Sequence, residues 1–223
     1  MSLVEHREGI EAGRLDMFVD GAFAFTLTLL AIGGETIPNT AGKLLHILAG
    51  VPAAAVCFAQ IAWMWHGHVR WRHLCTRTSR TGLLLSLLLV FFALIFVYPL
   101  HMVYGAALYG LSGGVLSSDI VLQSPADARV MFACYGLAFT CMAGTLVMLY
   151  RHAARLPDAG AEVRRQAGIR MLVWSIPAAV GLLSALTAWL IPEGLLALAG
   201  LEYILLGLIG PAITWYKRRH PAG

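Results

Sequence analysis

The 223-residue chain is 59% hydrophobic and 13% charged, with a mean hydropathy of +0.74. A soluble domain carries about 25% charged residues, so the composition excludes a soluble globular protein and reads as a polytopic membrane protein. The net charge of +4 and pI near 9.0 need no nucleic-acid partner, because topology accounts for the basic residues.

In chain order the apolar spans are 15–34, 44–66, 82–104, 128–150, 170–191 and 195–216. Each of the last five reaches roughly 20 residues, enough to cross a bilayer. The chain is expected to be an all-α membrane protein of six transmembrane helices, with residues 1–223 forming a single domain. No short apolar segment precedes the first span, so insertion is expected to use that helix rather than a cleaved leader. Of the 16 Lys and Arg residues, 14 fall at the amino end, between spans two and three, between spans four and five, or in the tail. Only Lys43 and Arg129 fall on the other side. The positive-inside rule then predicts cytoplasmic termini.

Span one is the most informative. Arg14, Asp16 and Asp20 precede an uncharged run, Gly21 to Gly34, of 14 residues. That run covers only about 21 Å of a hydrocarbon core of about 30 Å, so the charged first turns must face protein or water. At 100° per residue, Arg14, Phe18, Phe25, Leu29 and Ile32 share one stripe, with Thr28 beside it and Asp20 to one side. The stripe is either a path lining or ordinary helix packing.

Span two ends in Trp63-Met-Trp-His66-Gly-His68. Trp63 and His66, three apart, share a face level with the charged start of span one, where His66 is placed to bond Asp20, Arg14 or Thr28. Trp65 and Trp71 read as interfacial anchors, and Tyr98, Tyr104 and Tyr109 as an outer aromatic belt. Pro99 is expected to kink or end helix three, and residues 151–170 to be at most partly helical. Gly136, Ala138, Ala143 and Gly144 suit close packing of helix four. Glu202, in helix six, is either an outer-vestibule carboxylate or a plain interfacial hydrogen bond. Cys57, Cys75, Cys134 and Cys141 form no close-spaced pair and read as reduced thiols, with no metal and no cofactor implied.

Arg14-x-x-x-Phe18-Val19-Asp20 resembles the Arg-x-x-x-Phe-Ser-Asp signature in the first helix of the endosomal and lysosomal potassium channel family and its bacterial homologues. Trp63-x-x-His66 resembles that family's second motif. The resemblance implies a homotetrameric, potassium-permeable cation channel with the pore lined by the first helix of each subunit, in the bacterial inner (plasma) membrane. The constriction would then fall on Phe25, Leu29 and Ile32, with Thr28 as a polar layer. Arg14, Phe18, Asp20, Trp63 and His66 would form the entrance network that fixes helix one against helix two. Two positions depart from the pattern: Val19 replaces the signature Ser, and Phe25 stands where relatives place Ile or Leu.

The pattern occurs once, which argues against an inverted-repeat transporter and for several chains around an axis. The alternatives are a weakly selective cation or proton leak pathway and, on the strength of His46, His66, His68 and His101, a haem-binding membrane protein. No Ser/His/Asp set or His-Glu-x-x-His motif suggests a hydrolase, so the chain is not expected to be an enzyme.

Overall fold

A computed structural model describes residues 3–32, 39–75, 79–116, 118, 120 and 122–219; at 3–12, 31 and 32 it describes the backbone alone. Among these residues every regular element is helical: α1 (Leu3–Ile32), α2 (Ala41–Arg72), α3 (Arg80–Leu111), α4 (Pro125–Ala154), α5 (Ala161–Leu190), α6 (Ala197–Leu201) and α7 (Ile209–Arg219). Three starts are fixed by side-chain caps. Thr40 accepts from the Lys43 amide at 3.2 Å and Ser79 from the Gly82 amide at 3.0 Å. Ser124 and Asp127 form a reciprocal capping box, with Pro125 opening α4.

Five segments, α2, α3, α4, α5 and Glu193–Arg219, are long and apolar enough to cross a membrane. The helices run past the apolar windows at both ends, since backbone hydrogen bonding does not stop where hydropathy does. Residues 151–170, expected to be at most partly helical, are therefore helical except at 155–160. α3 continues through Pro99 to Leu111, since one missing N–H is a local loss in a helix with no water competing for its other bonds.

The sixth segment departs most from expectation. It is a 3₁₀ turn (Glu193–Leu195), then α6, then a second 3₁₀ stretch (Glu202–Leu208), then α7. A 3₁₀ run of seven residues is long for its type. Gly207, Gly210 and Pro211 surround its end, supplying flexible backbone and one missing donor.

The most extensive contact joins α4 and α5. A Cβ on Gly136 would collide with the Gly181 carbonyl oxygen, and one on Gly181 with the Gly136 carbonyl. Thr140 Oγ1 bridges the pair, 2.8 Å from Gly136 O and 3.1 Å from Ala178 O. Around this pair lies a core to which α1 through α5 all contribute, including Val19, Ile61, Phe96, Phe139 and Trp174. Trp71, expected as an interfacial anchor, is 2% exposed inside it. It sits against Gly82, whose missing side chain leaves room for the indole. At the far end of α5, Arg129 of α4 donates to the carbonyls of Ala188 (2.5 Å), Trp189 (3.0 Å) and Ile191 (3.1 Å). It thereby satisfies acceptors that a helix end leaves open.

Antiparallel packing gathers one set of helix ends. Asp16 meets Arg72, Ser79 meets His152, and Tyr216 of α7 lies against Gly168 of α5. The described beginning and end of the chain, and the basic clusters near them, are thus at the same end of the bundle.

Candidate functional site

α1 is two-sided. Leu15, Val19, Phe23, Thr26 and Leu30 are buried, their spacing of three and four placing them on one face against α2 and α3. Val19 is fully buried, so at the signature Ser position this chain has an apolar core residue. A hydroxyl there would need a partner.

The other face of α1 is exposed among the described residues. Arg14, Met17, Phe18, Gly21, Phe25 and Thr28 are exposed, with Met17 at 68% and Phe18 and Phe25 each at 56%. Their i, i+3, i+4 spacing makes one continuous stripe, apolar in the middle and cationic at its start. Leu29 is half-buried at the margin of this stripe, and the Ile32 side chain lies outside the described residues. Thr28 Oγ1 donates back to Ala24 O at 3.0 Å, which commits its proton and leaves its lone pairs open.

The polar contacts that hold α1 differ from the expected entrance network. Asp16 takes both Nε (2.6 Å) and Nη2 (3.2 Å) of Arg72, whose Nη1 also donates to Cys75 O at 3.0 Å. This fork geometry is the strong form of a carboxylate–guanidinium pair. Asp20 accepts from Trp65 Nε1 at 2.7 Å, so Trp65 is a tether between α1 and α2. His66 is exposed and accepts from Arg70 Nε at 3.3 Å, one turn along its own helix. Trp63 packs against Trp174 of α5 with the rings tilted by 32° and centroids 4.6 Å apart.

The expected partners are separated by a simple rotation. Trp63 and His66 lie on one face of α2 as predicted, but Trp65 and Arg72, seven apart, present a different face, and that one meets α1. The signal for Arg72 was available in principle, since Asp16 and Arg72 stand at matching depth near the same end of two antiparallel helices. Gly67 had no such signal. A Cβ there would overlap the Trp174 indole, and the Gly67 carbonyl accepts from Tyr150 Oη at 2.7 Å.

Away from α1, Tyr104 is not part of a belt: its hydroxyl donates to Gln60 Oε1 at 2.7 Å, and Gln60 Nε2 donates to Tyr135 Oη at 3.1 Å. Glu202 Oε1 accepts from Thr187 Oγ1 of α5 at 2.6 Å. Its Oε2 is buried with no hydrogen-bond partner among the described residues.

Residues 14–99 match the family described as the endosomal/lysosomal potassium channel TMEM175. A potassium channel of Marivirga tractuosa is 26% identical over 153 residues, covering 66% of this chain and 62% of that relative. The chain thus spans under two thirds of that relative's length. Among solved structures, a variant of the potassium channel MtTMEM175 in complex with a nanobody fusion superposes with a TM-score of 0.76. It is 23% identical, with 92% of each chain covered. A lysosomal potassium-selective channel TMEM175 homolog from Chamaesiphon minutus gives a TM-score of 0.58 at 20% identity, over 95% of this chain and 99% of that one. At these identities the two structures speak for the fold.

Proposed function

We propose, on the match of residues 14–99 to the TMEM175 endosomal/lysosomal potassium channel family and the likeness to potassium channels, that this chain is a potassium-permeable channel in which four copies turn the exposed face of α1 toward a common axis. The family is one of ion channels, not enzymes. The observation that carries the reading is the unpartnered stripe Arg14–Phe18–Gly21–Phe25–Thr28 on a helix whose opposite face is buried. One subunit cannot enclose a path with one such face, whereas a closed ring of copies does.

In this arrangement Arg14 and Phe18 surround the inner mouth and Phe25 forms the narrowest ring. Thr28 supplies an acceptor layer one turn further on, followed by Leu29 and Ile32. An apolar ring stops ions by making them shed water with nothing polar in return. Asp16–Arg72 and Asp20–Trp65 hold α1 at its inner end, so that the Phe25 layer keeps its place. With the basic clusters at the same end as the described beginning and end of the chain, the positive-inside rule puts that end in the cytoplasm, and the plasma membrane is the membrane proposed for it.

A weakly selective leak is the second reading, favoured by the scarcity of polar ligands on the exposed stripe, where Thr28 is flanked by Phe25 and Leu29. Ion flux through reconstituted protein under a potassium gradient, compared with sodium, separates the two. Phe25→Ala is expected to raise flux and narrow the difference between the ions, while Leu87→Ala, 39% exposed on α3, does neither. Unchanged flux and selectivity in Phe25→Ala would remove α1 from the path.

A further inference from the structure

Behind the exposed stripe, between α1 and α2, lies a cavity of about 280 Å³. Its walls are Phe23, Ala24 and Leu27 of α1 and Phe58, Ile61 and Ala62 of α2. Asp20 and Trp65 line it too, and since α1 and α2 are antiparallel and these two residues bond each other, they close one end together. Asp20, Ala24 and Phe58 are exposed at its rim.

The chemistry of the walls is lopsided. Beyond the Asp20–Trp65 end the lining is hydrocarbon or aromatic, and among the described lining residues the only charge is a carboxylate. That carboxylate spends Oδ1 on the Trp65 indole, and its second oxygen takes no part in that bond. Three aromatic side chains, Phe23, Phe58 and Trp65, line the same pocket as a single carboxylate, the combination that favours an organic cation with an apolar body. Depth matters as well. Asp20 is one turn, about 6 Å, further into the bundle than Asp16, which pairs with Arg72 at the bundle end. A ligand with its charge at Asp20 and its body along the hydrocarbon walls would be oriented as an amphiphile is at the edge of the bilayer.

We propose that this α1–α2 pocket binds small lipophilic amines, with the ammonium on the Asp20 carboxylate and the apolar body between Phe23 and Phe58. Because one wall is α1 itself, occupancy braces the helix from behind, at a site separate from its exposed stripe. A body of roughly ten non-hydrogen atoms suits the volume.

The test is a binding measurement that does not depend on ion flux, so it stands or falls separately from the channel reading. Full-length protein in nanodiscs is titrated calorimetrically with 3-phenylpropylamine and with its neutral analogue 3-phenylpropanol, subtracting empty nanodiscs. The amine is expected to bind at least tenfold more tightly than the alcohol. Asp20→Asn, which keeps an acceptor for the Trp65 indole, should bring the two within threefold of each other. Ala62→Phe, which fills the pocket without touching the charge, should abolish binding of both, and unchanged melting temperatures in the two variants confirm that each is folded. Equal affinities in the unmodified protein, amine binding that survives Ala62→Phe, or no binding at all because a neighbouring copy's side chain fills the pocket would each overturn the proposal.

Discussion

The pair that pins α1 gives the sharpest energetic test. Arg72 and Asp16 meet through two hydrogen bonds, but their side chains are unequally enclosed, 12% exposed for Arg72 and 39% for Asp16. An exposed ion pair is worth at most about 1 kcal/mol, while stripping one partner from a buried pair costs about 3–5 kcal/mol. This pair lies between those limits, and the two deletions should differ. Asp16→Ala strands a guanidinium that water barely reaches, although Cys75 O still takes one N–H; about 2–3 kcal/mol is expected. Arg72→Leu leaves a carboxylate that water can hydrate, and about 1–2 kcal/mol is expected. The double-mutant cycle, measured by SDS-induced unfolding in mixed micelles, should return a coupling of about 1–2 kcal/mol. It should persist at 1 M salt, where exposed pairs fade. A coupling under about 0.5 kcal/mol would show that the fork geometry contributes no more than a surface contact, and that α1 is held by its apolar face alone.

Three further outcomes follow from the packing. Gly181→Val drives two methyl groups against the Gly136 carbonyl and Thr140; a loss of about 3 kcal/mol or more is expected in the same unfolding assay, since backbone cannot yield as a side chain does. Arg129→Ala leaves three carbonyls at the end of α5 without their charged donor; about 2 kcal/mol and faster amide exchange around 188–191 should be seen by mass spectrometry. Cys75 is buried, and burial pushes its thiol pKa above the usual range, which lowers the thiolate fraction at neutral pH. In a variant keeping Cys75 as its sole cysteine, maleimide labelling at pH 7 should be at least tenfold slower in folded protein than in SDS, and equal rates would contradict the burial.

Much of this architecture was readable from residues. Hydropathy located the helical segments, and the recurrence of Arg14, Phe18 and Phe25 at helical spacing marked the face of α1 that the subunit leaves open. Gly136 was legible as a close-packing position because small residues in membrane helices have few other uses. Pairings across helices were less legible. His66 is placed by sequence to bond Asp20, Arg14 or Thr28, yet it bonds Arg70 while Asp20 meets Trp65, because placing a contact on α2 requires the rotation of that helix, which packing of Trp63 on Trp174 decides. Trp71 looked like an anchor because a Trp near a span end usually is one; the gap at Gly82, found only once α2 and α3 are side by side, makes it core. The break in the sixth segment escaped the hydropathy window for a different reason: a 3₁₀ stretch is as apolar as the α-helix it interrupts.

The fork between Asp16 and Arg72 also sets a condition on how the protein is made. The two residues are 56 positions apart, so at about 5–20 residues per second the ribosome delivers Arg72 roughly 3–11 s after Asp16. Until Trp65 and Arg72 follow, the first helix has two carboxylates without the indole and guanidinium that receive them in the folded subunit, and an uncharged run of only 14 residues, Gly21 to Gly34. On insertion scales an unpaired charge costs about 2.5–3.5 kcal/mol at the helix centre, an upper bound for Asp16 and Asp20, which lie near the charged end of α1. The first helix is therefore a poor membrane guest until the second arrives, and the two enter most cheaply as one hairpin, already clasped at its open end.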